Sequence, residues 1–479
     1  MKIYSDPIPM SPHLLADMNI DQFLGKYFRN PERLITCDPE VITNRNHICG
    51  AMLQNPGMAK ALQSFLHITQ GMAHTNSTAE SDPLHIINGM MVVQTFYKAA
   101  VAVLEAIAQA PPLPSFFADI ARLVKKLVDT QLPTNFPTLW ESHASGVEKP
   151  QSATYKINFS PDLRVESIAL ESINSTRYEE KGILRRMAKT QHPMHLNHLL
   201  HIIPGSYDEK SIKNAGRRFT DTATQLQFAK TVNGMVATHA HMLQGHMATW
   251  ERNIANHMRE LLGDLQLALS LYDCAKAIGG TFAVVCPTHA NTCILQDMVH
   301  PMLATPSPTS ISNAGEMILL GGENQSGKTT FLRTLGTMQI LFQMGLPLPV
   351  SSARMSPATS IFAVFSREED TSLSQGKLGG ELQALSQAIN SLLDGGLFLG
   401  NEPITGTSPQ ENLLLSREAL CVLKAKSLRG IWVTHIPALF QDVARLNQMP
   451  FGSVYVPMFA KAAHGVYQVE ITKERGNLT

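Results

Sequence analysis

Charge is scarce in this chain of 479 residues, and neither sign prevails. Charged residues make up 16%, with 39 acidic side chains against 39 basic ones. Without a basic excess there is no general field to draw in nucleic-acid phosphates, so any such contact must come from local patches. Long apolar runs are missing as well. The richest stretch, "YKAAVAVLEAIAQA", is too short to span a bilayer and is broken by Lys98 and Glu105. The opening "MKIYSDPIPMSPHLL" lacks the apolar core of a secretory signal. Only six cysteines occur, widely scattered, as expected of reduced thiols rather than a disulfide framework. These absences predict a soluble, cytoplasmic chain with no membrane partner. What is present in quantity is apolar: 44% of residues, enough for packed cores, in a chain too long for a single one.

The pattern changes character along the chain. Residues 55–108 read as helical with a polar break at "HTNSTAESDP", and proline clusters at 110–115 and 131–137 close successive blocks. Residues 153–175 alternate like one or two strands. Across 220–271, Leu243, Met247, Trp250, Ile254, Met258, Leu261 and Leu265 recur at steps of three and four, one face of a long helix. That helix is either an ordinary bundle element or a lever. "GGTFAVVCP" at 279–287 reads as a buried strand and "TPSPTS" at 305–310 as a surface loop. Beyond them short apolar strands alternate with helices, which predicts a parallel sheet covered on both faces. The expected domains are 1–150, helical; 151–279, core and lever helices; and 280–479, α/β.

One motif stands out in the last region. Gly322-x4-Gly327-Lys328-Thr329 follows the apolar run "EMILLG" and opens a helical stretch, the context a phosphate-binding loop requires. Backbone N–H groups and the helix N-terminus would face the phosphates. Lys328 is expected to reach the β- and γ-phosphates of ATP, and the Thr329 hydroxyl to ligate Mg²⁺. The apolar run "GGLFLG" then ends in Asn401-Glu402. An acidic pair is usual there, so Glu402 is the candidate water-orienting base, and Asn401 supplies a neutral oxygen to the metal shell. His435, closing "GIWVTH", falls at the carboxyl edge of the expected sheet as a candidate γ-phosphate sensor.

These segments resemble the MutS family of DNA mismatch repair ATPases. "GGENQSGKTTFLRTLG" is similar to the family's phosphate loop, with Asn324, Ser326 and Thr330 in its register. "NEPITGTSPQENLLLSREAL" is similar to its acidic strand end and following helix, and "WVTHIPAL" to its Thr-His segment. Weaker likeness extends upstream, through His300-Pro301 and the stretches 217–232, 261–282, 27–48 and 157–174.

The resemblance implies an α+β multidomain protein, a mainly helical core and lever domain followed by an ABC-type α/β P-loop ATPase domain. It also implies ATP, Mg²⁺ and a DNA partner, in DNA repair or recombination. No phenylalanine is followed two residues later by glutamate, so the family's mismatch wedge is absent and mismatch recognition is not expected. In "LSQGKLGGE" Gly376 occupies the signature serine position, leaving Ser374 as the candidate γ-phosphate contact. The family's C-terminal dimerisation helices have no counterpart in "VEITKERGNLT", so the expected homodimer uses other surfaces or is weak.

Two alternatives stay open: a nucleotide-gated scaffold with little hydrolysis, and another ABC-type ATPase of the chromosome-maintenance kind. Side signals are His192, His195, His198 and His201 at steps of three, and Cys286, His289 and Cys293 in "CPTHANTC". Either set could ligate metal, or simply form a polar helix face or a connecting turn. Arg185, Arg186, Lys189, Lys213, Arg217 and Arg218 could face DNA or only solvent.

Overall fold

The computed structural model describes residues 1–74, 83–131, 152–159, 165–174, 261–366, 376–463 and 468–472. The chain divides into two compact units. One joins Met1–Ala59, Pro112–Phe116 and Asp264–Thr479; the other holds Lys60–Pro111 and Phe117–Gly263.

Three α-helices described in the first half start on a proline. Short helices α1 (Leu14–Asp17) and α2 (Asp21–Leu24) precede α3 (Pro39–Gln54). Asp38 caps α3, accepting from the N–H groups of Glu40 and Val41, with Pro39 in the first turn where its missing N–H costs nothing. Helices α4 (Pro56–His74), α5 (Pro83–Gln109) and α6 (Ser115–Gln131) follow, as the polar break and proline clusters lead one to expect.

In the second unit Phe65 of α4 and Phe96 of α5 pack with ring centroids 5.6 Å apart. On α6, Phe117, Ile120, Val124 and Leu127 are buried at helical spacing. Strands β1 (Ser152–Phe159) and β2 (Val165–Asn174) pair antiparallel, with register shifts at Thr154/Tyr155 and Asn158/Phe159. Of the long helical pattern, residues 261–278 are described and form helix α7.

The first unit contains a six-stranded sheet in the order β12-β11-β6-β10-β9-β8. Its strands are β6 (Met317–Gly322), β8 (Ile361–Phe365), β9 (Leu397–Asn401), β10 (Arg429–Val433), β11 (Tyr455–Ala463) and β12 (Gln468–Thr472). All neighbours are parallel except β11 and β12. Near-continuous apolar strands are what a sheet buried on both faces demands.

Alternate residues divide between two cores: Ile318, Leu320, Leu399, Ile431 and Val433 enter one, and Met317, Leu319, Phe398 and Trp432 the other. Helix α8 (Lys328–Met344) packs in the first core through Phe331, Leu332, Leu335 and Met338. Helices α9 (Lys377–Ser391) and α10 (Pro409–Ala425) pack in the second through Leu385, Ile389, Leu420 and Leu423.

Residues near the N-terminus belong to this sheet. Ile361 donates to the Pro9 carbonyl (3.0 Å), Ser11 donates to the Ile361 carbonyl (3.1 Å), and Ala363 donates to Ser11 Oγ (2.8 Å). The outer edge of β8 is thereby covered, as an exposed edge would invite pairing with another chain.

A second sheet, β3-β7-β4-β5, adds β3 (Val284–Val285), β4 (Thr292–Met298), β5 (Thr309–Ala314) and β7 (Ser352–Met355). It departs from the sequence expectation. The apolar run at 279–287 yields only a two-residue strand with Val284 58% exposed, and β5 begins inside the expected loop. Ahead of β3, positive φ angles at Gly279 and Gly280 turn the chain out of α7.

Candidate functional site

The carboxyl ends of β6, β9 and β10 bring the sequence candidates together. After β6 the chain enters a tight loop, Gly322 to Gly327, before α8. Gly322 has φ 133°, and a Cβ there would lie 2.4 Å from the Ala460 carbonyl oxygen. Only glycine fits this approach to β11. Gln325 (φ 63°) and Gly327 (φ 87°) complete the reversal, and α8 leaves with its first N–H groups turned to the loop.

Lys328 opens α8 and folds back into the loop, its Nζ donating to the carbonyls of Gly322 (2.9 Å) and Glu323 (2.7 Å). Burial lowers its pKa, while the nearby Glu402 carboxylate opposes that shift. The Ser326 hydroxyl is buried with no hydrogen-bond partner. A buried polar group left unsatisfied is costly, and a phosphate oxygen would satisfy it. Asn324 and Thr330 are exposed around this cradle.

Beside it, Thr329 Oγ1 donates to Asn401 Oδ1 at 2.9 Å. The two predicted metal ligands therefore touch, and both offer neutral oxygens. Hard cations such as Mg²⁺ take such donors, so the pair fits the ion in donor type while supplying no negative charge. The next residue, Glu402, has φ 50°, uncommon for a non-glycine, and its N–H donates to the Val433 carbonyl (3.2 Å). Its Oε1 meets His435 Nε2 at 2.6 Å, with both side chains partly exposed. A cavity of about 190 Å³ opens beside this pair, lined also by Thr405, Ser416 and Thr434.

Ser374 lies outside the described residues; Gly376 begins the description again as the N-cap of α9. Two further residues support the site beyond the candidates named from the sequence. Glu381 on α9 accepts from the N–H groups of Thr405 and Gly406 (2.8 Å each) and from Thr405 Oγ1 (2.6 Å). It fixes the turn that follows Glu402, and its only sequence signal is its place at the end of "LSQGKLGGE". His300 braces α8 from behind. It accepts at Nδ1 from the Met302 N–H (3.3 Å), so Nε2 carries the proton and donates to the Met18 carbonyl (2.9 Å). Burial lowers its pKa, which favours this neutral form.

Among the described residues no three His, Cys, Asp or Glu side chains converge as a metal site would require, Cys286, His289 and Cys293 included. No helix among them is long and apolar enough to cross a membrane. The His192–His201 cluster and the six basic residues from Arg185 to Arg218 lie outside the described residues.

A parallel sheet whose central strand runs through a glycine-bearing loop into a helix is an α/β arrangement that places the loop at the carboxyl edge of the sheet. Comparison with known proteins goes further. The family model of MutS domain V matches residues 318–475, and over this part the chain is similar to the MutS family. Proteins named Endonuclease MutS2 are also similar to part of the chain. That of Streptococcus equi subsp. equi (strain 4047) is 27% identical over 202 residues, 42% of this chain and 26% of that protein. That of Enterococcus faecalis (strain ATCC 700802 / V583) is 31% identical over 173 residues, 34% of this chain and 22% of that protein. The chain thus spans about a quarter of the length of these relatives.

Proposed function

We propose that this chain is a MutS-like, ATP-binding and DNA-associated ATPase acting in DNA repair or recombination without mismatch recognition. The observation that carries the nucleotide reading is the cradle itself: Lys328 held against the loop carbonyls beside the unpartnered Ser326 hydroxyl. In the proposal the loop N–H groups, Ser326 and Lys328 bind the β- and γ-phosphates, and Lys328 exchanges its carbonyl partners for phosphate oxygens. Thr329 and Asn401 would hold Mg²⁺, whose chemistry is to neutralise phosphate charge.

Glu402 orients a water and accepts its proton, and Glu381 keeps the Glu402 turn in register. His435 restrains the Glu402 carboxylate and would be released toward the γ-phosphate when nucleotide enters. Ser374 would add a γ-phosphate contact across a weak homodimer. The DNA partner follows from the family and from no charge pattern in this chain.

A second reading is favoured by one observation. The amide of Asn401 takes the Thr329 hydroxyl where a carboxylate would be expected, which suits a nucleotide-gated scaffold with little turnover. The discriminating experiment is ATP binding and steady-state hydrolysis with Mg²⁺, with and without duplex and branched DNA, beside Lys328→Ala. DNA-stimulated turnover lost in Lys328→Ala supports the motor. Tight binding without turnover supports the scaffold, and no binding by the unaltered chain overturns both.

A further inference from the structure

A groove of about 730 Å³ runs between α3 and β3, away from the phosphate loop. Its size lies in the range of ligand-binding clefts. Thr43, Asn46, Gly50 and Gln54 form its helical side at steps of three and four, Phe282 and Val285 face them, and Pro112 to Pro114 form a rim. All these segments belong to the same compact unit.

Three features of the groove define its ligand. First, the described lining residues include no Asp, Glu, Lys or Arg, and His47 is their one titratable side chain. These residues offer a phosphate or nucleic-acid ligand no permanent counter-charge, and a charged peptide would find no permanent ion-pair partner among them. Second, Asn46 is buried, 9% exposed, with its Oδ1 enclosed and without a partner. A carboxamide both donates and accepts, the complement of a peptide bond.

Third, β3 has an edge that is unpaired among the described residues, where it is the last strand of its sheet and pairs with β7 alone, in parallel. Cys286 N–H donates to the Met355 carbonyl (2.8 Å), so by alternation Val284 also bonds toward β7. The N–H and C=O of Val285 are then left on the outer edge.

We propose that this groove binds an extended, uncharged peptide segment of a partner protein, which adds as a strand beside β3 and hydrogen-bonds Asn46 through a backbone amide. Main-chain bonds to a sheet edge supply affinity in such recognition, and alternate side chains supply specificity.

The test is selection of displayed random peptides on the full chain, with each recovered peptide synthesised and its affinity measured by fluorescence anisotropy. Recovered peptides should be uncharged and rich in β-branched residues. Gly50→Trp fills the groove and should abolish binding, whereas Gly50→Ala should retain it. A Cβ at Gly50 meets nothing nearer than Phe282 Cε2 at 3.7 Å, so Gly50→Ala is accommodated, and a thermal melt checks that Gly50→Trp is folded. Asn46→Leu should weaken binding roughly fivefold to tenfold, the loss of one or two neutral hydrogen bonds, and Lys328→Ala should leave it unchanged. Selection of charged peptides, no recovered peptide sensitive to Gly50→Trp, or oligonucleotide binding that Gly50→Trp abolishes would each overturn the proposal.

Discussion

Thr329 and Asn401 share a hydrogen bond of 2.9 Å across the gap between α8 and β9. The hydroxyl proton is committed to the amide oxygen, and the pair brings no charge of its own. Asn401→Asp places a carboxylate where that oxygen lies. The expected outcome is a Mg²⁺ requirement satisfied at roughly tenfold lower concentration, with a rise in ATP turnover, because a charged oxygen holds a hard cation more firmly. Turnover titrated against Mg²⁺ in both proteins checks it; identical curves would remove Asn401 from the metal shell.

Lys328 is the only cation seen reaching the loop carbonyls among the described residues. Lys328→Ala should weaken ATP roughly 10- to 100-fold, the worth of charge-assisted hydrogen bonds to phosphate. Isothermal titration calorimetry measures the change. An unaltered affinity would place the nucleotide elsewhere.

Glu381 holds three donors of the Thr405–Gly406 turn. Glu381→Gln turns one acceptor into a donor facing other donors, which should cost about 1–3 kcal/mol of stability. If the turn positions Glu402, kcat should fall with KM little changed. Denaturant melts and steady-state kinetics separate the two effects; a KM change alone would deny the positioning role.

His300 sets a pH dependence. Its folded-state pKa is lowered from 6.5 by burial first, with Arg333 contributing. A depressed pKa means that protonation favours the unfolded chain. The stabilising contribution is full above 6.5 and is lost as pH falls below it. Melting temperature should drop between about pH 7 and about pH 5, and less steeply in His300→Gln. Parallel slopes in the two proteins would assign the acid sensitivity to other groups.

Much of the α/β region was legible from the sequence because its strands are buried on both faces. A run such as "IFAVF" has few alternatives once it is bounded by turns, and the glycine spacing around Lys328 dictates the loop. The small second sheet was not legible. β4 and β5 mix polar and apolar residues without strict alternation, and β7 has only four residues, so their pairing is set by tertiary contacts. At the site, Asn401, Glu402 and His435 could be named from position. Their contacts could not, since nothing in "NEP" or "VTH" announces that Glu402 adopts positive φ and meets His435. Glu381 escaped for the same reason: its partners lie 24 and 25 residues away.

The cover of Pro9–Ser11 on β8 has a consequence for biosynthesis. A ribosome releases these residues long before Ile361–Phe365 exist, so the nascent N-terminal segment must wait, unpaired, until the sheet it completes has been made. Its docking is a long-range, late closing step, with the loop-closure entropy of the intervening chain to overcome. A fragment beginning at Asp264 would contain every strand of the sheet yet leave the edge of β8 bare, and should self-associate until a peptide of residues 1–59 is supplied in trans.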